Sequence, residues 1–133
     1  MPKKKIGLIV APPGVFIDMH EKRTADFLAT TLGYDITFLV PSRHQGTKTP
    51  DIEMISLHWE IKCPKGKSSR TIENNLRLAL LQSPNIVLDL RRMDGRIPTN
   101  RQLVEIQRQF ELAKSIRRII VITRQHTHIE FKR

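Results

Sequence analysis

Along the chain, short apolar runs alternate with stretches of helical spacing, and the switches between them mark the elements. Lys5 to Ala11 predicts a short strand, closed by Pro12, Pro13 and Gly14. A helix is expected from Asp18 to Leu32, with Asp18 as its N-cap and Gly33 as its stop. Glu21, Ala25, Leu28 and Leu32 share one face of it, while Asp26 falls on the opposite, solvated face. A carboxylate on an inward face needs a compensating charge. Glu21 is therefore expected either to meet a metal ion or a lysine, or to sit at a frayed first turn steadied by the helix dipole.

Asp35 to Val40, rich in β-branched and aromatic residues, is the next predicted strand. Pro41 to Thr49 is a polar loop bearing Arg43, His44 and Lys48, either a connector or a basic lip on a cleft. Asp51 to Ile55 and Leu57 to Cys63 predict a hairpin, although its turn lacks the usual Asn-Gly or Asp-Gly. A loop from Pro64 to Arg70, with Lys65, Lys67, Ser68 and Ser69, opens a helix from about Arg70 to Gln82 that buries Ile72, Leu76, Ala79 and Leu80 and ends at Ser83-Pro84. Asn85 to Leu90 is almost wholly apolar, as a central strand should be. A third helix is expected from about Asn100 to Ser115, then a buried strand from Arg118 to Thr123 and a tail able to add an edge strand. The order is that of an α/β fold with a mixed sheet.

Composition narrows the functional classes. At 133 residues the chain reads as one domain spanning residues 1–133, with its core at about 18–123. Its 23 Lys and Arg against 13 Asp and Glu give +10, which favours a polyanionic partner, nucleic acid before an anionic membrane or an acidic protein. No apolar run approaches the roughly 20 residues that span a bilayer. The basic start followed by Ile6 to Ala11 reads as a strand rather than a signal peptide. The single Cys63 can build neither an internal disulfide nor a zinc site alone, and is expected to face the core.

The candidate chemistry lies in the hairpin. Residues two apart on a strand share a face, so Glu60 and Lys62 project together while Trp59, Ile61 and Cys63 turn to the core. Asp51 on the neighbouring strand would bring a second carboxylate to the same point. Such an oxygen-rich site suits Mg²⁺ or Mn²⁺, and an ion there can polarise a phosphoryl oxygen and activate water. The expectation is a metal-dependent nuclease. The alternative for Glu60 and Lys62 is a solvated strand face with a cross-strand ion pair. Glu130-Phe131-Lys132 repeats the Glu-x-Lys spacing without a Pro-Asp before it and serves as a decoy. Arg91, Arg92 and Arg96, after the central strand, stand where a cleft would contact phosphates, or are surface cations. The loop before the second helix lacks the spacing of a nucleotide-binding loop, but its cations and amides suit a phosphate.

Pro50-Asp51 with Glu60-x-Lys62 resembles the PD-(D/E)xK nuclease superfamily, whose restriction-endonuclease-like core is a mixed sheet flanked by helices. Within it, Trp59 to Ser68, Arg70 to Leu76 and Gln82 to Arg91 are most similar to the C-terminal transfer-RNA nuclease domain of contact-dependent growth inhibition toxins, also found in phage and mobile-element proteins. The likeness covers about Glu21 to Met93. It implies an endonuclease cutting RNA, transfer RNA first, in the cytoplasm of a target cell. It implies Asp51 and Glu60 as ligands of Mg²⁺ (with Mn²⁺ or Zn²⁺ as substitutes), Lys62 as the group orienting water or stabilising charge, and Glu21 as the helix-borne acidic residue. It implies Lys65, Ser68 and Arg70 near the substrate backbone, to which the loop and cleft positions add Lys67, Arg91 and Arg92 as candidate substrate contacts. An acidic immunity protein would be a partner, and a chain opening at Met1 reads as an excised domain or a free-standing relative. Two departures stand out: the hairpin turn lacks the family's Gly or Asn, and Cys63 replaces the Ser after the core lysine. Competing expectations are a DNA endonuclease with the same site, a metal-independent ribonuclease using His44, His58, or His126 with His128, and a non-catalytic nucleic-acid-binding domain.

Overall fold

The computed structural model describes residues 5–41 and 49–133; the expected loop cations Arg43 and Lys48, and His44, lie outside them. Among the described residues seven strands form one mixed sheet whose spatial order is the chain order, β1-β2-β3-β4-β5-β6-β7. The strands are β1 (Ile9–Val10), β2 (Ile36–Phe38), β3 (Ile52–Met54), β4 (Leu57–Lys62), β5 (Asn85–Asp89), β6 (Arg118–Ile122) and β7 (His128–Lys132). Three helices provide the crossovers: α1 (Met19–Thr31), α2 (Ser69–Leu80) and α3 (Thr99–Leu112). Each joins a parallel pair, β1 to β2, β4 to β5 and β5 to β6, as parallel strands require. The remaining pairs are antiparallel. The expected α/β architecture is the observed one, and the tail forms the expected edge strand.

The helices divide the core in two. Ala25, Phe27 and Leu28 of α1 pack on Ile36, Ile52, Trp59, Ile61 and Val87 on one face of the sheet. Ile72 and Leu76 of α2, with Ile106 and Phe110 of α3, cover Ile86, Leu88, Ile119 and Val121 on the other. Strands β5 and β6 are thus buried on both faces, which explains their nearly unbroken apolar runs.

Local chemistry sets the helix ends. Asp18 accepts from the amides of His20 (2.9 Å) and Glu21 (3.3 Å), capping α1 as expected. Gly33 takes φ +74°, and a Cβ there would stand 2.8 Å from the Lys5 carbonyl oxygen. The first strand is shorter than Lys5 to Ala11: only Ile9 and Val10 pair with β2. Before them the chain crosses the end of α1, where the Gly7 amide donates to the Ala29 carbonyl (2.9 Å). A Cβ on Gly7 would fall 1.8 Å from the Tyr34 carbonyl oxygen, so this segment is occupied with packing across α1 rather than with a ladder.

The hairpin turn solves its missing glycine by strain. Ile55 (φ 53°) and Ser56 (φ 60°) are both left-handed, the backbone of a two-residue turn that Asn-Gly would adopt at little cost. Register comes instead from burial. Ile52, Met54 and Trp59 are almost wholly inaccessible, and the Trp59 indole donates to the Met54 carbonyl at 2.8 Å.

Candidate active site

The carboxylates meet where β3 begins and β4 ends. Ile52 is the last residue of β3 to pair, with Trp59, and Asp51 just before it bonds the residues on either side of Glu60, which brings its carboxylate close enough to act on Glu60. Three hydrogen bonds fix Asp51: its amide donates to Trp59 (3.0 Å), its carbonyl accepts from Leu39 (2.9 Å), and its Oδ2 accepts from the Ile61 amide (2.8 Å). That last bond puts a side-chain oxygen on the β4 amide just beyond the last regular pair, Ile52 with Trp59. Glu60 is 7% exposed. Its Oε2 lies 3.5 Å from the Lys62 ammonium, and its buried Oε1 has no hydrogen-bond partner among the described residues.

Charge at this corner is unbalanced. Burial and the nearby Asp51 carboxylate raise Glu60 to about 8, against the pull of Lys62. Burial, then Asp51 and Asp18, raise Glu21 in the first turn of α1 to about 7. Asp51 is the carboxylate that both others sense. A cation or a proton would relieve these shifts, and among the described residues Oε1 has no donor of its own. The donors are all carboxylate oxygens, which fits Mg²⁺ or Mn²⁺ better than Zn²⁺ with its preference for nitrogen and sulfur. Among the described residues no three Asp, Glu, His or Cys side chains form a complete metal cage. Any ion here would take part of its shell from water or substrate, as Mg²⁺ commonly does.

The other sequence candidates separate into two groups. Lys65, Lys67, Ser68 and Arg70 are exposed at the start of α2. Ser68 occupies the N-cap position without a side-chain cap, and Lys67 and Ser68 line a cavity of about 130 Å³ with Arg101 and Gln102. Arg91 is occupied rather than free. Its Nε and Nη2 grip both Asp89 oxygens (3.0 and 2.7 Å), its Nη2 also donates to the Arg23 carbonyl (3.2 Å), and it lies over the Phe27 ring. Arg92 donates to the Cys63 carbonyl at 3.3 Å, and Arg96 is clamped on Asp94. Cys63 packs against the core, its Sγ 3.3 Å from the Thr24 hydroxyl, and burial raises its thiol to about 11. His58 faces Glu53 at 3.6 Å across the hairpin, and Glu130 of the decoy pairs with Arg118 across β6 and β7.

Sequence reasoning missed the Asp89 knot. Asp89 is 4% exposed and accepts from Thr24 (2.7 Å) as well as from Arg91. Its one local signal was a carboxylate at the carboxyl end of an apolar parallel strand, where α/β folds commonly place sites. Missed too was His20, which lines one cavity with Arg23, Arg91, Arg92 and His126, the last named in the sequence only as a partner of His128.

A toxin and immunity complex of CdiA-CT and CdiI from Burkholderia pseudomallei contains a chain that superposes with a TM-score of 0.69 at 19% identity, covering 96% of this chain and 100% of that one. At that identity the likeness speaks for the fold. No curated protein matches the chain. Residues 48–128, more than half of the sequence and the whole stretch from Asp51 to His126, match the contact-dependent growth inhibition CdiA C-terminal domain, and the chain belongs to that family.

Proposed function

We propose that this chain is a toxin domain that hydrolyses phosphodiester bonds in RNA, transfer RNA first, by a metal-dependent mechanism of the PD-(D/E)xK kind. One observation carries the reading: the carboxylates of Asp51 and Glu60 come close together beside Lys62, with a buried Glu60 oxygen left unpaired among the described residues. Asp51 and Glu60 would hold Mg²⁺ or Mn²⁺, which supplies Lewis-acid polarisation of the phosphoryl oxygen and a more acidic water. Asp51, anchored on the Ile61 amide, fixes the position of its free oxygen. Lys62, 27% exposed and tethered to Glu60, is poised to stabilise negative charge developing on the scissile phosphate. Glu21 completes the acidic rim from α1.

The +10 charge suits a polyanionic substrate, and it suits an acidic immunity partner as well. The Burkholderia protein was solved as a toxin and immunity complex, which supports a partner of that kind here. RNA cutting would take place in the target cell's cytoplasm.

The test is incubation of purified protein with total RNA and with plasmid DNA, with Mg²⁺ or chelator, beside Asp51→Ala and Lys62→Ala. RNA cleavage that needs the ion and disappears in both variants is the expected result. Parent-like cleavage by either variant would sink the site assignment. Cleavage of the plasmid in preference to RNA would move the substrate to DNA.

A further inference from the structure

We infer that the cleft between the first half of α1 and the β6–β7 turn is a phosphate subsite for the nucleic-acid backbone, formed by His20, Arg23, Arg92 and His126. The inference rests on the nuclease reading and adds to it the path of the substrate. The cavity measures about 260 Å³, ample for a phosphate with its waters. Its cationic and imidazole groups come from three separate segments: His20 and Arg23 from α1, Arg92 from the end of β5, and His126 from the turn after β6.

The one carboxylate lining the cleft is already spent. Asp89 accepts from the Thr24 hydroxyl and from the amide and guanidinium of Arg91. The Cys63 thiol stays protonated at neutral pH and adds no charge. What remains is a set of donors. The side chains of His20, Arg23 and His126 make no hydrogen bond or ion pair among the described residues, so the cleft asks for an anion with several acceptor oxygens. Arg91 is a positioning residue here: it holds the α1 backbone at Arg23 against Asp89.

Position ties this cleft to the chemistry. His20 precedes Glu21, and Cys63 follows Lys62, so the donors begin one residue from the acidic corner. A shallower groove of about 430 Å³, lined by Arg23, Arg91 and His126 but also by Phe27, Thr30 and the carboxylate of Asp26, continues along α1 and carries fewer cations per carboxylate than the cleft. His126 reaches the cleft from a left-handed conformation (φ 62°), inside a turn closed by its own amide on the Thr123 carbonyl (3.0 Å).

The experiment measures binding of a fluorescent RNA stem-loop against salt concentration, in an Asp51→Asn background that cannot cut it. The single changes Arg23→Ala, Arg92→Ala and His126→Ala are added to it, with Arg77→Ala on the outer face of α2 as control. In parallel, the histidine ring resonances are followed while inorganic pyrophosphate is added. Arg23→Ala and Arg92→Ala are each expected to weaken RNA binding about fivefold to tenfold and to lower the salt slope by about 0.7 to 0.9, one phosphate contact. Arg77→Ala should leave the slope unchanged. His20 and His126 should shift saturably with pyrophosphate, whereas His58 and His128 should not. With Asp51 restored, Arg23→Ala should raise KM and leave kcat within twofold, a split that a folding defect does not produce. Unchanged slopes in a protein that binds and cuts RNA would overturn the subsite and leave the nuclease reading standing. A parent that neither binds nor cuts nucleic acid would remove both.

Discussion

Two buried acidic groups on the neighbouring strands β4 and β5 have opposite fates. Asp89 is surrounded by donors: a hydroxyl, a backbone amide and a guanidinium fork converge on its two oxygens. Glu60 is nearly as buried, yet it has one lysine at 3.5 Å, another carboxylate close by and, among the described residues, an oxygen with nothing to accept from. Burial is equal and satisfaction is not. A satisfied buried carboxylate fixes structure; an unsatisfied one beside a second carboxylate meets a repulsion that a proton or a cation relieves. The contrast separates a structural strut at Asp89 from the proposed reactive corner at Glu60.

The largest expected effect breaks the reactive side of that pair. Glu60→Gln keeps the shape and removes the charge, so RNA cleavage should fall by about a hundredfold or more, while Tm holds or rises because the repulsion with Asp51 is gone. A parent-like rate would return Glu60 to the status of an ordinary core residue. The mirror change, Asp89→Ala, should leave Arg91 over Phe27 without its counter-ion and cost about 2 to 4 kcal/mol of stability, read as a shift in urea midpoint. A neutral outcome would mean that the knot is dispensable.

A pH titration sharpens the same contrast. Glu60 and Glu21 bind protons more tightly folded than unfolded, near 8 and 7 against an ordinary 4.5. The folded state therefore holds more protons, and stability is greatest below about 4.5 for these groups and falls as pH rises towards 8. Thermal melts without divalent ions should show Tm declining between pH 5 and 8, and Mn²⁺ or Mg²⁺ should restore it most at the upper end. Glu60→Gln should flatten the decline. A flat parent profile, with no response to ion, would contradict the charge imbalance. The smallest effect belongs to the turn: Ser56→Gly should stabilise the hairpin by about 0.5 to 1 kcal/mol with cleavage unchanged.

Much of this was legible in the sequence, for local reasons. Asp18 and Gly33 bound α1 because caps act within a turn, and Ile86 to Leu88 marked a central strand because two covered faces leave no room for polar residues. The pairing of Asp51 with Glu60 was less secure, since Ile55-Ser56 gives no turn signal and the indole of Trp59 holds the register from within the core. Arg91 read as a phosphate contact because a cation after a strand looks exposed; its capture by Asp89 and Phe27 depends on a helix some 65 residues earlier in the chain. The first strand was overdrawn because apolar content does not reveal that Gly7 is pressed on the Tyr34 carbonyl.

Since every strand lies beside its predecessor, the sheet can zip in the order in which its chain becomes available. No early segment must wait for a late one to slot between it and its neighbour. Asp51, Glu60 and Lys62 come together once β4 docks on β3, whereas their burial waits for β5 and its flanking helix. The acidic corner therefore rests on a hairpin contact local in the chain rather than on one that must span the sheet.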